Sequence, residues 1–132
     1  MKTIDTLCIV DDDSIFQMLT RIIVEKTQRV QKIKIFSNGR QAIDFLNSVH
    51  DQPDELPEII LLDLNMPVMD GWGFLEEYLL LKPRIGKEIL IYVVSSSIDP
   101  VDVQRARKIS EVTDYVIKPV NQAKLISLLN SL

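Results

Sequence analysis

The 132-residue sequence contains one cysteine and one histidine, and that scarcity removes several functions at the outset. Cys8 has no partner for an internal disulfide, and its place in an apolar run reads as a buried, inert thiol in a reducing compartment. No His/Cys cluster exists to favour zinc. His50 falls in an acidic stretch with helix-breaking prolines, His50 to Pro57, and reads as solvent-facing. Long apolar runs are missing too. The first, Leu7-Cys8-Ile9-Val10, meets three aspartates and is too short for a signal-peptide core or a membrane span, so a soluble, cytoplasmic protein without membrane contact is expected. There is no basic excess either. Lys and Arg number 15 against 19 Asp and Glu, a net charge of -4, and the cations are scattered, which argues against nucleic acid as a partner. Repeats, low-complexity tracts and linkers are absent, so residues 1–132 are expected to form a single domain with no output domain. A chain of this size buries roughly two-thirds of the surface its unfolded form exposes.

What is present is a regular alternation of strand-like and helix-like patterns, repeated five times, which predicts a parallel sheet built from βαβ units. Ser14 with Gln17 reads as a capping box opening the first helix, whose apolar residues Ile15, Leu19, Ile22 and Ile23 recur at helical spacing. A strand near residues 30–36 precedes a helix carrying Ala42, Phe45, Leu46 and Val49 on one face. The third helix is expected from Gly71 or Trp72 to Leu81, with Phe74, Leu75, Tyr78 and Leu79 toward the sheet. Asp99-Pro100 reads as an N-cap followed by proline at the first helical position, opening a fourth helix with only the narrow stripe Val103, Ala106 and Ile109. The last helix, from about Asn121, turns Leu125, Leu128, Leu129 and Leu132 inward.

The strand ends carry the chemistry. Ile59-Ile60-Leu61-Leu62 is a continuous apolar run, the pattern of a strand buried on both faces, and it ends in Asp63 before Pro67 and Asp70-Gly71 break the chain. The first apolar run ends in Asp11-Asp12-Asp13, the run Ile89 to Val94 ends in Ser95-Ser96-Ser97, and Tyr115-Val116-Ile117 ends in Lys118-Pro119. In a parallel sheet these ends share one rim, where ligands of open α/β sheets bind. An acidic pair, a lone aspartate, a hydroxyl and a lysine gathered there outline a magnesium and phosphoryl site, because magnesium takes hard oxygen ligands and the adjacent carboxylates need a cation between them.

Taken in order, these residues resemble the response regulator receiver domain of two-component signalling: Asp11 and Asp12 as its acidic pair, Asp63 within D-x-N-M-P-x-M-D-G, Ser95 as its switch hydroxyl, and Lys118-Pro119. Asn38-Gly39-Arg40-Gln41-Ala42 is similar to the family's turn into its second helix, and the resemblance spans essentially the whole chain. It implies the flavodoxin-like doubly wound α/β fold, with five parallel strands in the order 2-1-3-4-5. It further implies that Mg2+ would be bound by Asp12 and Asp63, by the backbone carbonyl of Asn65, and by Asp11 through a water. Asp63 would accept a phosphoryl group from a histidine kinase or histidine phosphotransfer protein, assisted by Lys118. The Lys118-Pro119 peptide would be cis. Ser95 would act as the switch hydroxyl and Tyr115 as the switch aromatic, with core packing the equal alternative for Tyr115. Asn65 and Ser97 would modulate dephosphorylation, and an unknown downstream protein would read the fourth helix, last strand and last helix.

Ser96 stays an alternative to Ser95 within the serine triplet, and Lys108 to Val112 departs from the glycine-alanine turn usual after the fourth helix. The resemblance makes the domain a signalling phosphoacceptor rather than an enzyme acting on other molecules. A phosphorelay intermediate and a phosphorylation-independent interaction module remain the alternatives within it. An aspartate-nucleophile phosphatase of the haloacid dehalogenase type wants a second aspartate where Asn65 stands, and the phosphate that a flavin-binding first loop must cradle would be repelled by Asp11-Asp12-Asp13.

Overall fold

The computed structural model describes residues 3–131. Five strands alternate with five helices: β1 (Ile4–Val10), α1 (Ser14–Lys26), β2 (Val30–Phe36), α2 (Gly39–Val49), β3 (Ile59–Leu62), α3 (Gly71–Leu81), β4 (Leu90–Ser95), α4 (Pro100–Arg107), β5 (Val112–Ile117) and α5 (Gln122–Leu129). All neighbouring strands pair in parallel, in the order β2-β1-β3-β4-β5. The parallel sheet is the one expected from the alternation of patterns, and its strand order is the flavodoxin-like one that the family resemblance implies.

β3 shows why a continuous apolar run is required at the centre. Ile59 and Leu61 join the layer formed with Leu125, Leu128 and Leu129 of α5 and Phe16 and Ile23 of α1. Ile60 and Leu62 join the opposite layer, with Ala42, Ile43 and Leu46 of α2, Phe74, Leu75 and Tyr78 of α3 and Ala106 of α4. With apolar helices on both faces, a polar residue at any of the four positions would be buried without a partner.

Two helix details differ from the sequence expectation. Asp13, not Ser14, caps α1: its carboxylate accepts from the Ile15 and Phe16 N–H groups, while the Gln17 amide donates to the Asp11 carbonyl. A carboxylate one residue earlier satisfies two of the orphan N–H groups and complements the helix dipole, so it displaces the hydroxyl from that role. In α3, Leu79 is 42% exposed and Leu81 is buried instead. At about 100° per residue, Leu79 lies roughly 40° beyond Leu75 on the helix circumference, whereas Leu81 falls beside Phe74 and Tyr78. Leu132 lies outside the described residues.

Away from the functional rim, Lys87 fastens the loop that leads into β3. Its ammonium donates to the Pro53 and Leu56 carbonyls, each at 2.9 Å, and pairs with Glu58 at 3.6 Å. Glu58 in turn accepts from the Asp5 and Thr6 N–H groups of β1. Replacing Lys87 with Met keeps the aliphatic stem and removes these charge-assisted bonds. The expected loss is about 2 kcal/mol, measured as a lower denaturant midpoint at unchanged slope.

Candidate functional site

The sheet ladder continues one residue beyond three of its strands, and this extension sets the site. Asp11 N–H donates to the Phe36 carbonyl, Asp63 N–H to the Val10 carbonyl and Lys118 N–H to the Ser95 carbonyl, each at 2.9 Å. Three charged side chains are therefore mounted on the hydrogen-bonded ladder of the sheet, directly past the ends of β1, β3 and β5. One oxygen each from Asp11, Asp12 and Asp63 can lie within 4.8 Å of the others. Lys118 Nζ stands 2.7 Å from Asp11 Oδ2 and 3.8 Å from Asp63 Oδ2, and 4.5 Å from the centre of the Phe16 ring. Phe16 covers the ammonium with a π face, a contact that the helical pattern of α1 did not single out.

Burial and mutual repulsion set the acidity of the cluster. Burial pushes the Asp63 carboxyl up to about 6, the Asp11 charge adds to that rise, and the Lys118 ammonium and the Leu64 and Asn65 N–H groups oppose it. Asp11 is raised as well, again by burial first, against the pull of Lys118 and the Asp13 N–H. Asp12 is exposed and faces solvent. Asp11 Oδ2 is buried, and the Lys118 ammonium 2.7 Å away balances its charge. Three carboxylates offering hard oxygens within 4.8 Å of one another, against a single ammonium, fit a small divalent cation.

The loop after Asp63 is held at several points. Leu64 N–H donates to Asp63 Oδ1 at 2.8 Å, Gly71 N–H to the Leu64 carbonyl at 2.9 Å and Gly39 N–H to the Met69 carbonyl at 2.8 Å. A Cβ on Gly71 would come within 2.4 Å of the Asp63 carbonyl, so only glycine lets α3 start this close to the site. Val68 has φ of 68° and Met69 N–H donates to the Pro67 carbonyl at 2.7 Å, a tight three-residue turn in a conformation that branched side chains resist. Asn65 is exposed on this loop, two residues past Asp63. The Lys118-Pro119 peptide is cis.

Ser95 is the last residue of β4 and fully buried, whereas Ser96 is exposed. Ser95 Oγ accepts from the Ser97 N–H at 3.1 Å. Tyr115 is 6% exposed, and its hydroxyl donates to the Ser97 carbonyl at 2.8 Å. Tyr115 thus both packs in the core and ties β5 to the loop after β4. Asp102 takes part as well, accepting from Ser97 Oγ at 2.7 Å. Nothing in the sequence beyond a serine and an aspartate five positions apart signals that bond. Arg105 of α4 lies over the Trp72 ring, 4.1 Å from its centre, joining α4 to the start of α3.

Comparison with known proteins finds the same fold in response regulators. A two-component response regulator from Cytophaga hutchinsonii has the same fold at TM-score 0.87 and 32% identity, covering 98% of this chain and 97% of that one. A probable methanogenesis regulatory protein, FilR2, of Methanothrix harundinacea is 27% identical over 115 residues, which is 87% of this chain and 72% of the relative. The receiver domain of the sensor histidine kinase PA1611 of Pseudomonas aeruginosa, described with magnesium coordinated in its active-site cleft, shares the fold at TM-score 0.76 and 20% identity over 96% of this chain and 95% of that one. The chain also matches protein-glutamate methylesterases, of which it spans about a third or less, 32% in the case from Methanococcoides burtonii. With residues 7–130 matching the response regulator receiver domain, the chain belongs to that family of two-component signalling domains.

Proposed function

We propose that this receiver accepts a phosphoryl group on Asp63 from a phosphohistidine donor and signals through a change in the loop after β4. The observation that carries the reading is the placement of Lys118 Nζ between Asp11 Oδ2 and Asp63 Oδ2, at 2.7 and 3.8 Å, on a rim where three carboxylates converge. Asp12 and Asp63, with the Asn65 carbonyl, would hold Mg2+ directly and Asp11 through a water. The ion supplies charge neutralisation for an in-line phosphoryl transfer. An Asp63 oxygen forms the new P–O bond as the P–N bond breaks, and the electron pair leaves on the histidine nitrogen. Lys118 offsets the charge gathering on the transferred oxygens, and the ladder-mounted backbone keeps nucleophile and ammonium in register during the step.

Exposed Ile15, Met18, Leu19 and Ile22 of α1 lie beside this rim, next to a hollow lined by Phe16, Leu19, Ile23, Lys118 and Val120. That apolar face suits a donor whose histidine must reach Asp63, which supports a histidine kinase or phosphotransfer protein as partner. On the other side Ile98, Val101 and Ile117 are exposed around α4 and β5, where a downstream protein would read the switch. Ser95 would donate to the phosphoryl group, with Tyr115 following its loop.

Incubating the protein with acetyl phosphate and Mg2+ is expected to add one phosphoryl group per chain. Intact mass measurement and peptide mapping should place it on Asp63, with hydroxylamine removing it as an acyl phosphate. Absence of any label from acetyl phosphate and from a panel of phosphohistidine donors would leave an interaction module instead.

A further inference from the structure

We infer that Asp102, on the first turn of α4, is a positioning residue for phosphoryl acceptance, acting through Ser97 on the hydroxyl of Ser95. The inference rests on reading Asp63 as the phosphoacceptor. It starts from the way Ser97 is held: its N–H donates to Ser95 Oγ at 3.1 Å, its carbonyl accepts from the Tyr115 hydroxyl at 2.8 Å, and its own Oγ donates to Asp102 Oδ2 at 2.7 Å while accepting from the Asp99 N–H at 3.3 Å. Every polar atom of Ser97 is engaged, and its four partners lie on three parts of the fold: the end of β4, the middle of β5, and the N-terminus of α4.

The consequence for Ser95 follows from hydroxyl chemistry. A hydroxyl has one proton to donate and two lone pairs to accept with. Ser95 Oγ accepts from Ser97, and no described residue takes its proton. The Ser97 N–H therefore fixes where the Ser95 oxygen sits and leaves its proton for an incoming phosphoryl oxygen, while the accepted bond strengthens the donated one. How well the N–H is aimed depends on the Ser97 backbone, and Asp102 anchors that residue by accepting from its Oγ at 2.7 Å, the shortest bond that Ser97 makes. Asp102 itself is partly exposed and touches none of the reacting groups.

Asp102 also occupies the first turn of α4, where a negative charge favours the helix by itself, and the test must separate that role from positioning. Asp102→Asn removes the charge but keeps an acceptor for Ser97 Oγ, and Asp102→Ala removes both. Labelling by acetyl phosphate at saturating Mg2+ is expected to slow roughly fivefold in the Ala variant, the effect of one hydrogen bond, and to stay near the wild-type rate in the Asn variant. In a Ser97→Ala background, adding Asp102→Ala should produce no further slowing, because the route through Ser97 is already cut. A wild-type rate in Asp102→Ala, equal slowing by Asn and Ala, or full additivity with Ser97→Ala would each overturn the inference while leaving Asp63 as acceptor. Failure of the wild-type protein to label would overturn the acceptor reading and this inference with it.

Discussion

Replacing Asp63 with Asn is expected to abolish phosphoryl incorporation altogether and, at the same time, to stabilise the protein in the absence of divalent metal. The first effect follows because the amide is a poor nucleophile and its product has no acyl phosphate counterpart, and neither Asp11 nor Asp12 is mounted past the central strand beside the Leu64 N–H. Retained stoichiometric labelling of the variant, mapped to another residue, would sink the assignment. The second effect follows from electrostatics. Asp63 is 7% exposed, and burial together with Asp11 pushes its carboxyl up to about 6 from the ordinary value of 3.8. Between those values the folded state binds a proton that the unfolded state does not, so stability from this group is greatest below about 4 and is lost as the pH rises through about 6. The difference corresponds to about 3 kcal/mol at neutral pH, and Asn avoids most of it.

Chemical denaturation in EDTA at pH 5 and pH 7 measures this directly. The gain from Asp63→Asn should be clear at pH 7 and shrink at pH 5, where wild-type Asp63 is largely protonated. Carboxylates outside the cluster contribute to both proteins alike, so the difference between them reports Asp63 together with its coupling to Asp11. Adding Mg2+ should reverse the order at pH 7, because the wild type keeps a full carboxylate set for the ion and the variant does not. A variant no more stable than wild type at pH 7 without metal would mean that Lys118 already neutralises the cluster.

Most of the fold, and the gathering of Asp11, Asp63 and Lys118 on one rim, could be read in the sequence, because both depend on local pattern. A short apolar run followed by a charged residue marks a strand end whatever surrounds it, and Asp11, Asp63 and Lys118 all stand directly past such runs. Strand starts were harder to read. β1 begins at Ile4 and β5 at Val112, before the visible apolar runs, because Asp5 and Thr113 alternate outward at the far edge of the sheet and interrupt the hydrophobic signal. In α3 apolar residues run nearly all round the helix, so periodicity could not separate buried Leu81 from half-exposed Leu79. The choice of cap on α1 turned on whether Asp13 or Ser14 occupies the extended position, and several adjacent capping residues make that a tertiary question. Contacts between distant elements were not legible at all: Phe16 beneath Lys118 and Arg105 over Trp72 each need the folded topology to bring them together.

Ser97 also governs the second large expected effect, the lifetime of the phosphorylated state. Water must approach the phosphorus opposite the acyl oxygen of Asp63, and Asn65 and Ser97, two residues beyond Asp63 and Ser95, are proposed to border that line. Ser97 is small, and its hydroxyl is turned to Asp102 on α4 by a 2.7 Å bond, which leaves the approach uncrowded. Asn65 is exposed on the loop past Asp63 and can hold a water with its amide. Replacing Ser97 with Arg fills the approach with a long side chain that can still pair with Asp102, so the loop keeps a tie to α4. Hydrolysis of purified phosphoprotein in Mg2+ is expected to slow by about tenfold or more, since a small misplacement of an attacking group is enough for a change of that size. Labelling should still reach one phosphoryl group per chain, because the donor approaches as a preassembled complex and Asp63, Asp11 and Lys118 are untouched. Decay followed after donor removal separates the two steps, and an Asn65→Ala variant measured beside it tests the water-holding group independently. Unchanged decay in both variants would mean that water reaches the phosphorus by another path, between α1 and the end of β5 along the hollow beside Lys118.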